Sequence, residues 1–122
     1  MSSEKTEALL KVFPDLYTEY NLSPTDSLMC FGFECGNGWF DLLWRLSKKI
    51  SECKEGVIAI QVKEKYGTLR FYIGGGSDKV FNIIDEAERE SKHICEECGD
   101  KGELRERGVW LKTVCETCNS GW

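Results

Sequence analysis

Four cysteines near the C-terminus stand in two tight pairs, Cys95-Glu-Glu-Cys98 and Cys115-Glu-Thr-Cys118, a C-x2-C-x16-C-x2-C pattern. This spacing is that of a four-cysteine zinc site. A C-x-x-C turn lets two thiolates grip one ion from a single knuckle. Two knuckles close a tetrahedron with bonds of about 2.3 Å. Gly99 follows the first pair, where such a knuckle calls for a positive φ. Asn119, Ser120 and Gly121 follow the second, so neither knuckle is forced into a helix interior. The expected metal ligands are therefore Cys95, Cys98, Cys115 and Cys118, holding Zn2+ in a structural role, because four cysteines leave no open ligand position for catalysis. The same residues could form two disulfides, but nothing else in the chain looks secreted. A thioredoxin-like redox pair calls for one C-x-x-C beside a βαβ pattern, not two around a hairpin.

Length and charge narrow the rest. The chain has 122 residues, which suits a single domain. The expected division is an α+β core over 1–92 and a zinc-ribbon-like subdomain over 93–122. So short a chain buries a modest core, and a metal staple at one end is physically useful. The formal net charge is −5, and four zinc-bound thiolates would make it about −7. Tight sequence-independent binding to duplex nucleic acid needs a basic surface and is not expected. The start is polar, without a leader pattern, and no apolar run is long enough to span a bilayer. Seven cysteines without a secretion signal fit a reducing cytoplasm. Cys30, Cys35 and Cys53 read as small buried hydrophobes. The sharper reading makes Cys35 a nucleophile, with His93, the only histidine, as its base.

The apolar periodicity predicts a helix over about Thr6–Tyr20, which Pro14 must kink or split. Asn21–Ser27 is a turn-rich connector, and Leu28–Glu34 reads as a buried strand or a loop. Trp39, Leu42, Leu43, Leu46, Ile50 and Cys53 follow the 3,4 spacing of one helix face, giving a helix over Gly38–Cys53. Asn37 is its expected N-cap, Lys48, Lys49 and Lys54 suit its C-terminal pole, and Trp44 lies at the margin of the stripe. Val57–Glu64 and Thr68–Ile73 form a β-hairpin, with Gly67 supplying a positive φ. Strict alternation puts Ile58, Ile60 and Val62 on the core side with Leu69, Phe71 and Ile73. The opposite face then carries Gln61, Lys63, Arg70 and Tyr72, with Lys65 near the turn. This cationic face on an acidic protein is the candidate anion-binding site, unless it is simply solvated.

Gly74-Gly75-Gly76 before Ser77-Asp78 could admit a phosphate at a helix N-terminus, or merely punctuate. It is not a Walker motif. Asp78–Lys92 is a helix by pattern, capped by Ser77 or Asp78. Gly102–Arg107 and Val109–Val114 flank Gly108 as a ribbon hairpin, with Trp110 packed under it. Trp122 either folds back on the ribbon or stays free.

Three phrases carry a resemblance: Phe33-Glu-Cys-Gly-Asn-Gly-Trp-Phe-Asp-Leu-Leu-Trp-Arg-Leu46, Gln61-Val-Lys-Glu-Lys-Tyr-Gly-Thr-Leu-Arg-Phe-Tyr72 and Trp110-Leu-Lys-Thr-Val-Cys-Glu-Thr-Cys118. Together they resemble a family of small bacteriophage and prophage proteins with this hairpin phrase and a paired-cysteine tail. The hairpin phrase is the specific part, and the N-terminal third has no counterpart. The resemblance implies a phage setting, hence a host-cell cytoplasm, and a role in countering host defences.

No nucleophile–base pair, paired carboxylates or open metal position is legible, since Asp41, Glu64 and Asp85 are scattered. The expectation is a non-enzymatic binding protein. Its first version sequesters a phosphorylated small molecule, such as a nucleotide signal, on Lys63, Lys65, Arg70 and Tyr72. Its second blocks a host or phage protein through the acidic surface and aromatics such as Trp44 or Trp122. A third version is a nucleic-acid-binding zinc ribbon. Self-association is compatible with each of these.

Overall fold

A computed structural model describes residues Met1–Trp122. The chain runs α1 (Ser3–Val12), β1 (Phe33–Glu34), α2 (Phe40–Glu52), β2 (Ile58–Lys65), β3 (Thr68–Gly74), α3 (Asp78–Glu90), β4 (Glu103–Arg107), β5 (Trp110–Val114) and α4 (Glu116–Asn119). Single turns of 3₁₀ helix lie at Thr18–Asn21, Leu28–Phe31, Asn37–Trp39 and Ser91–His93. The architecture is α+β, with a small sheet covered by helices and a separate C-terminal hairpin bearing the cysteine pairs.

The first helix is shorter than its periodicity suggests. It ends at Val12, and Phe13 leaves the helical region at φ −123°. Pro14 disfavours the α region for the residue before it, so the helix stops there instead of kinking. The later apolar residues still reach the core: Leu16 and Tyr17 are buried. Tyr17 shares a 2.5 Å hydrogen bond with Ser47 of α2 and stands edge-on to Phe33.

The second helix is close to its expected span. Leu42, Leu43, Leu46 and Ile50 are buried on one face, and each such side chain contributes roughly 2 kcal/mol. Asn37 does not cap it; Asn37 Oδ1 accepts instead from Ser2 N at 2.7 Å. Trp44 stays at the margin, edge-on to the Phe13 ring with Lys48 over its face.

The expected hairpin forms, but the sheet is mixed. β2 pairs antiparallel with β3, and β1 adds a short parallel strand, Phe33 opposite Val62 and Glu34 opposite Lys63. A two-residue run is too brief for its alternation to be seen in sequence. The turn holds Tyr66 at φ 55° and Gly67 at φ 83°, the doubly positive geometry of a tight two-residue hairpin loop. Strict alternation fails in the first half of β2. A bulge between Ala59 and Gln61 resets the parity. Ala59 and Val62 face the core with Leu69 and Phe71, while Ile60 is turned out toward solvent.

β3 is an edge strand, and α3 with the turn after it covers that edge. Leu69 N donates to Ser91 Oγ at 3.0 Å, and Phe71 N donates to Glu88 Oε2 at 2.9 Å. Side chains thus occupy donors that would otherwise recruit another strand. The N-terminus of α3 receives no cap from Ser77 or Asp78. The Glu55 carboxylate fills the position, accepting from Ser77 N at 2.8 Å and Ser77 Oγ at 2.7 Å. The site that the glycine run would offer to a phosphate is taken by the protein's own anion.

Candidate functional site

The cysteine cluster is built by two short turns. The first follows the 3₁₀ turn at Ser91–His93: Cys95 N donates to Asp100 O at 2.7 Å, and Gly99 N donates to Cys95 O at 2.9 Å. Gly99 has φ +87°, the conformation its position calls for. β5 delivers the second knuckle, where Cys118 N donates to Cys115 Sγ at 3.4 Å. All four sulfurs lie within 4.8 Å of one another. Cys98 Sγ and Cys115 Sγ are 3.7 Å apart, against about 3.8 Å for the edge of a tetrahedron of Zn–S bonds. None of the sulfurs is joined to another. Burial raises the Cys95 thiol, but N–H groups of Cys98, Cys115 and Glu97 outweigh it and bring the thiol down to about 7. Four clustered sulfurs, none joined to another, fit a zinc-type ion, or iron held by the same donors.

The ribbon is seated on the core by two glycine turns. Gly38 N donates to Glu96 O at 2.7 Å, and Gly36 N donates to Glu96 Oε2 at 2.9 Å. The indole of Trp39, fully buried, donates to Ile94 O at 2.9 Å. On the other side Thr113 Oγ1 donates to Gly67 O at 2.7 Å, where the hairpin turn presses against Leu104, Leu111 and Lys112. Side chains cannot replace hydrogens here. A Cβ on Gly38 would overlap the Cys95 carbonyl and stand 2.6 Å from Gly99 N. The Cys-Gly-Asn-Gly and Tyr-Gly-Thr phrases are thus the two halves of one seat. Cys35 adjoins that seat, where burial, then the Glu96 charge, push its thiol up to about 12.

Between the seated ribbon and the β2–β3 turn lies a cleft of about 570 Å³. Its rim is Tyr66, Val109 and Trp110, respectively 64 %, 89 % and 72 % exposed. Trp110 therefore does not pack under the ribbon; it stands beside it. Glu64, Glu96, Arg107, Leu111, Lys112 and Trp122 complete the lining. Trp122 folds back, its indole donating to Asn119 Oδ1 at 2.9 Å under the Arg107 guanidinium.

The sequence-derived anion residues share one sheet face without closing on a cavity. Lys63 stands opposite Arg70, Lys65 opposite Thr68, and Gln61 opposite Tyr72. Glu34 extends the Lys63–Arg70 row on its far side. Lys65 lies over the Tyr66 ring, and Tyr72 borders a separate groove with Asp26, Leu28 and Ile60. Sequence reasoning missed Glu96 and Tyr66, because their place depends on how the ribbon docks. The only available signal was the pair of glycines at 36 and 38, which mark a close approach by another backbone.

Fold and site together define an α+β scaffold with a docked ribbon carrying a cluster of four cysteines capable of holding a metal ion. No family model, curated protein or solved structure matches this chain. No helix is long and apolar enough to cross a membrane.

Proposed function

We propose that this chain is a non-enzymatic, zinc-stapled protein that binds and blocks a partner protein through the cleft beside its ribbon. The observation that carries this reading is the rim: three large apolar side chains exposed together around a polar floor, the composition of a binding hot spot. Zinc completes the scaffold. Four thiolates fill its coordination shell, so it holds the ribbon in shape and performs no chemistry. The resemblance to phage and prophage proteins supports a host or phage protein as the partner and counter-defence as the outcome.

A photo-crosslinking residue at Val109 tests the interface. It should give one discrete adduct in host-cell extract, competed away by unlabelled parent but not by Trp110→Ala. A crosslinker at Phe81 on α3 should give none. Equal adducts at both positions, or none at either, overturn the reading. Metal analysis in reductant should give one zinc per chain; less than about half an ion removes the staple.

A second reading keeps the anion on Lys63, Lys65, Arg70 and Tyr72. Its support is Arg70 Nε, which is buried without an acceptor. Calorimetry with cyclic and ADP-ribose-type nucleotides should then give heat that Arg70→Ala abolishes. Absence of heat from the parent retires it.

A further inference from the structure

The charged groups that line the cleft are not equivalent. Lys112 is ion-paired with Glu97. Arg107 Nη2 donates to Asn119 O at 2.6 Å, and the guanidinium lies 5.0 Å over the Trp122 ring. Both cations therefore already have partners inside the ribbon. Neither carboxylate has a cation of its own; Glu96 lies only within the field of Lys112, which Glu97 already pairs. Glu64 Oε2 accepts from Gly67 N at 2.6 Å, and Glu96 Oε2 accepts from Gly36 N at 2.9 Å. The other oxygen of each accepts no hydrogen bond from the protein, and neither residue forms a salt bridge. Glu96 is only 7 % exposed, yet its side chain lines the cleft. A mostly buried carboxylate that keeps one unbonded, solvent-reached oxygen beside a second carboxylate leaves an acceptor site open to a cation.

We infer that the cleft takes a lysine or arginine side chain from the partner, its cationic head on Glu64 and Glu96 and its stem between Tyr66 and Trp110. The inference rests on the reading of the cleft as a protein-docking site. The walls suit the guest: exposed aromatic faces attract an ammonium or guanidinium, and the methylene stem lies against them. A phosphate or an acidic side chain would have to displace Arg107 from Asn119 O and Trp122, or Lys112 from Glu97, while facing two carboxylates. The formal net charge of −5 adds long-range steering of a basic partner.

Capped pentapeptides with Arg, Lys, Gln or Glu between glycines, titrated into zinc-loaded 15N-labelled protein, provide the test. The Arg and Lys peptides should shift the amides of Glu64, Tyr66 and Glu96 and the Trp110 indole, and the shifts should shrink with added salt. The Gln and Glu peptides should leave these signals in place. Glu64→Gln keeps an acceptor for Gly67 N and should weaken the Arg and Lys peptides about tenfold. Trp110→Ala, at an exposed site, should do likewise without touching the fold. Equal response to the Gln peptide, a response to the Glu peptide, or no cleft shift with Arg or Lys at millimolar concentration overturns the inference. The Val109 crosslink separates the failures. If it persists while the peptides are not distinguished, the docking site stands and its cationic guest falls; if it is also lost, both fall.

Discussion

Gly38 lies outside the left-handed region, so its need for glycine is steric. Its missing Cβ makes room for the Cys95–Glu96 peptide. Gly38→Ala should cost about 3 kcal/mol in urea unfolding and weaken zinc binding together. Gly75→Ala is the contrast. Gly75 has φ +82° and nothing near an added Cβ, so only backbone strain of about 1 kcal/mol is expected, with zinc affinity unchanged. Glu88 gives a pH signature. Burial raises its pKa against the opposing pull of the Phe71 N–H and Arg70. The native state therefore holds this proton more tightly than the unfolded chain. Stability from this group is highest below the ordinary carboxylate range and declines as pH rises through the raised folded pKa. Glu88→Gln should flatten that decline, read as the difference between parent and variant urea midpoints across the acid range. An unchanged slope would refute the assignment.

At the scale of elements, local pattern and long-range contact divide the work visibly. The stripe of α2 and the turn at Gly67 were legible because helical period and positive φ are properties of neighbouring residues. The cysteine pairs were legible for the same reason: each knuckle is a four-residue unit. The bulge at Ile60 and the parallel pairing of β1 were not, because both are fixed by what lies across the sheet. The cap of α3 shows the same division. Its polar N-terminus was evident, but the capping atom comes from Glu55, 22 residues away. Glu55→Ala should lower stability by about 1 kcal/mol, and Ser77→Ala in that background should add little. Additive losses from the two substitutions would show that they do not act as one unit.

Over the whole molecule, the ribbon and core are joined by directed hydrogen bonds from Gly36, Gly38, Trp39 and Thr113. An ion held by the cysteine cluster is therefore expected to be coupled to the core. Cys98→Ser, or chelation of the parent, should release hydrogen-exchange protection at the Gly38 amide and the Trp39 indole while lowering the urea midpoint. Protection that survives full metal removal would show that the seat forms by itself. The candidate cleft was invisible in sequence for the same reason that the coupling exists: half of it belongs to the hairpin turn and half to the ribbon. The Trp39 indole has a further consequence. Its proton is satisfied by a carbonyl just before the first knuckle, so transplanting 93–122 onto a foreign host would strand a polar atom in the donor's interior and bare the underside of the graft. This four-cysteine finger is not a portable cassette, and a transplant should succeed only when the Gly-Asn-Gly-Trp stretch travels with it.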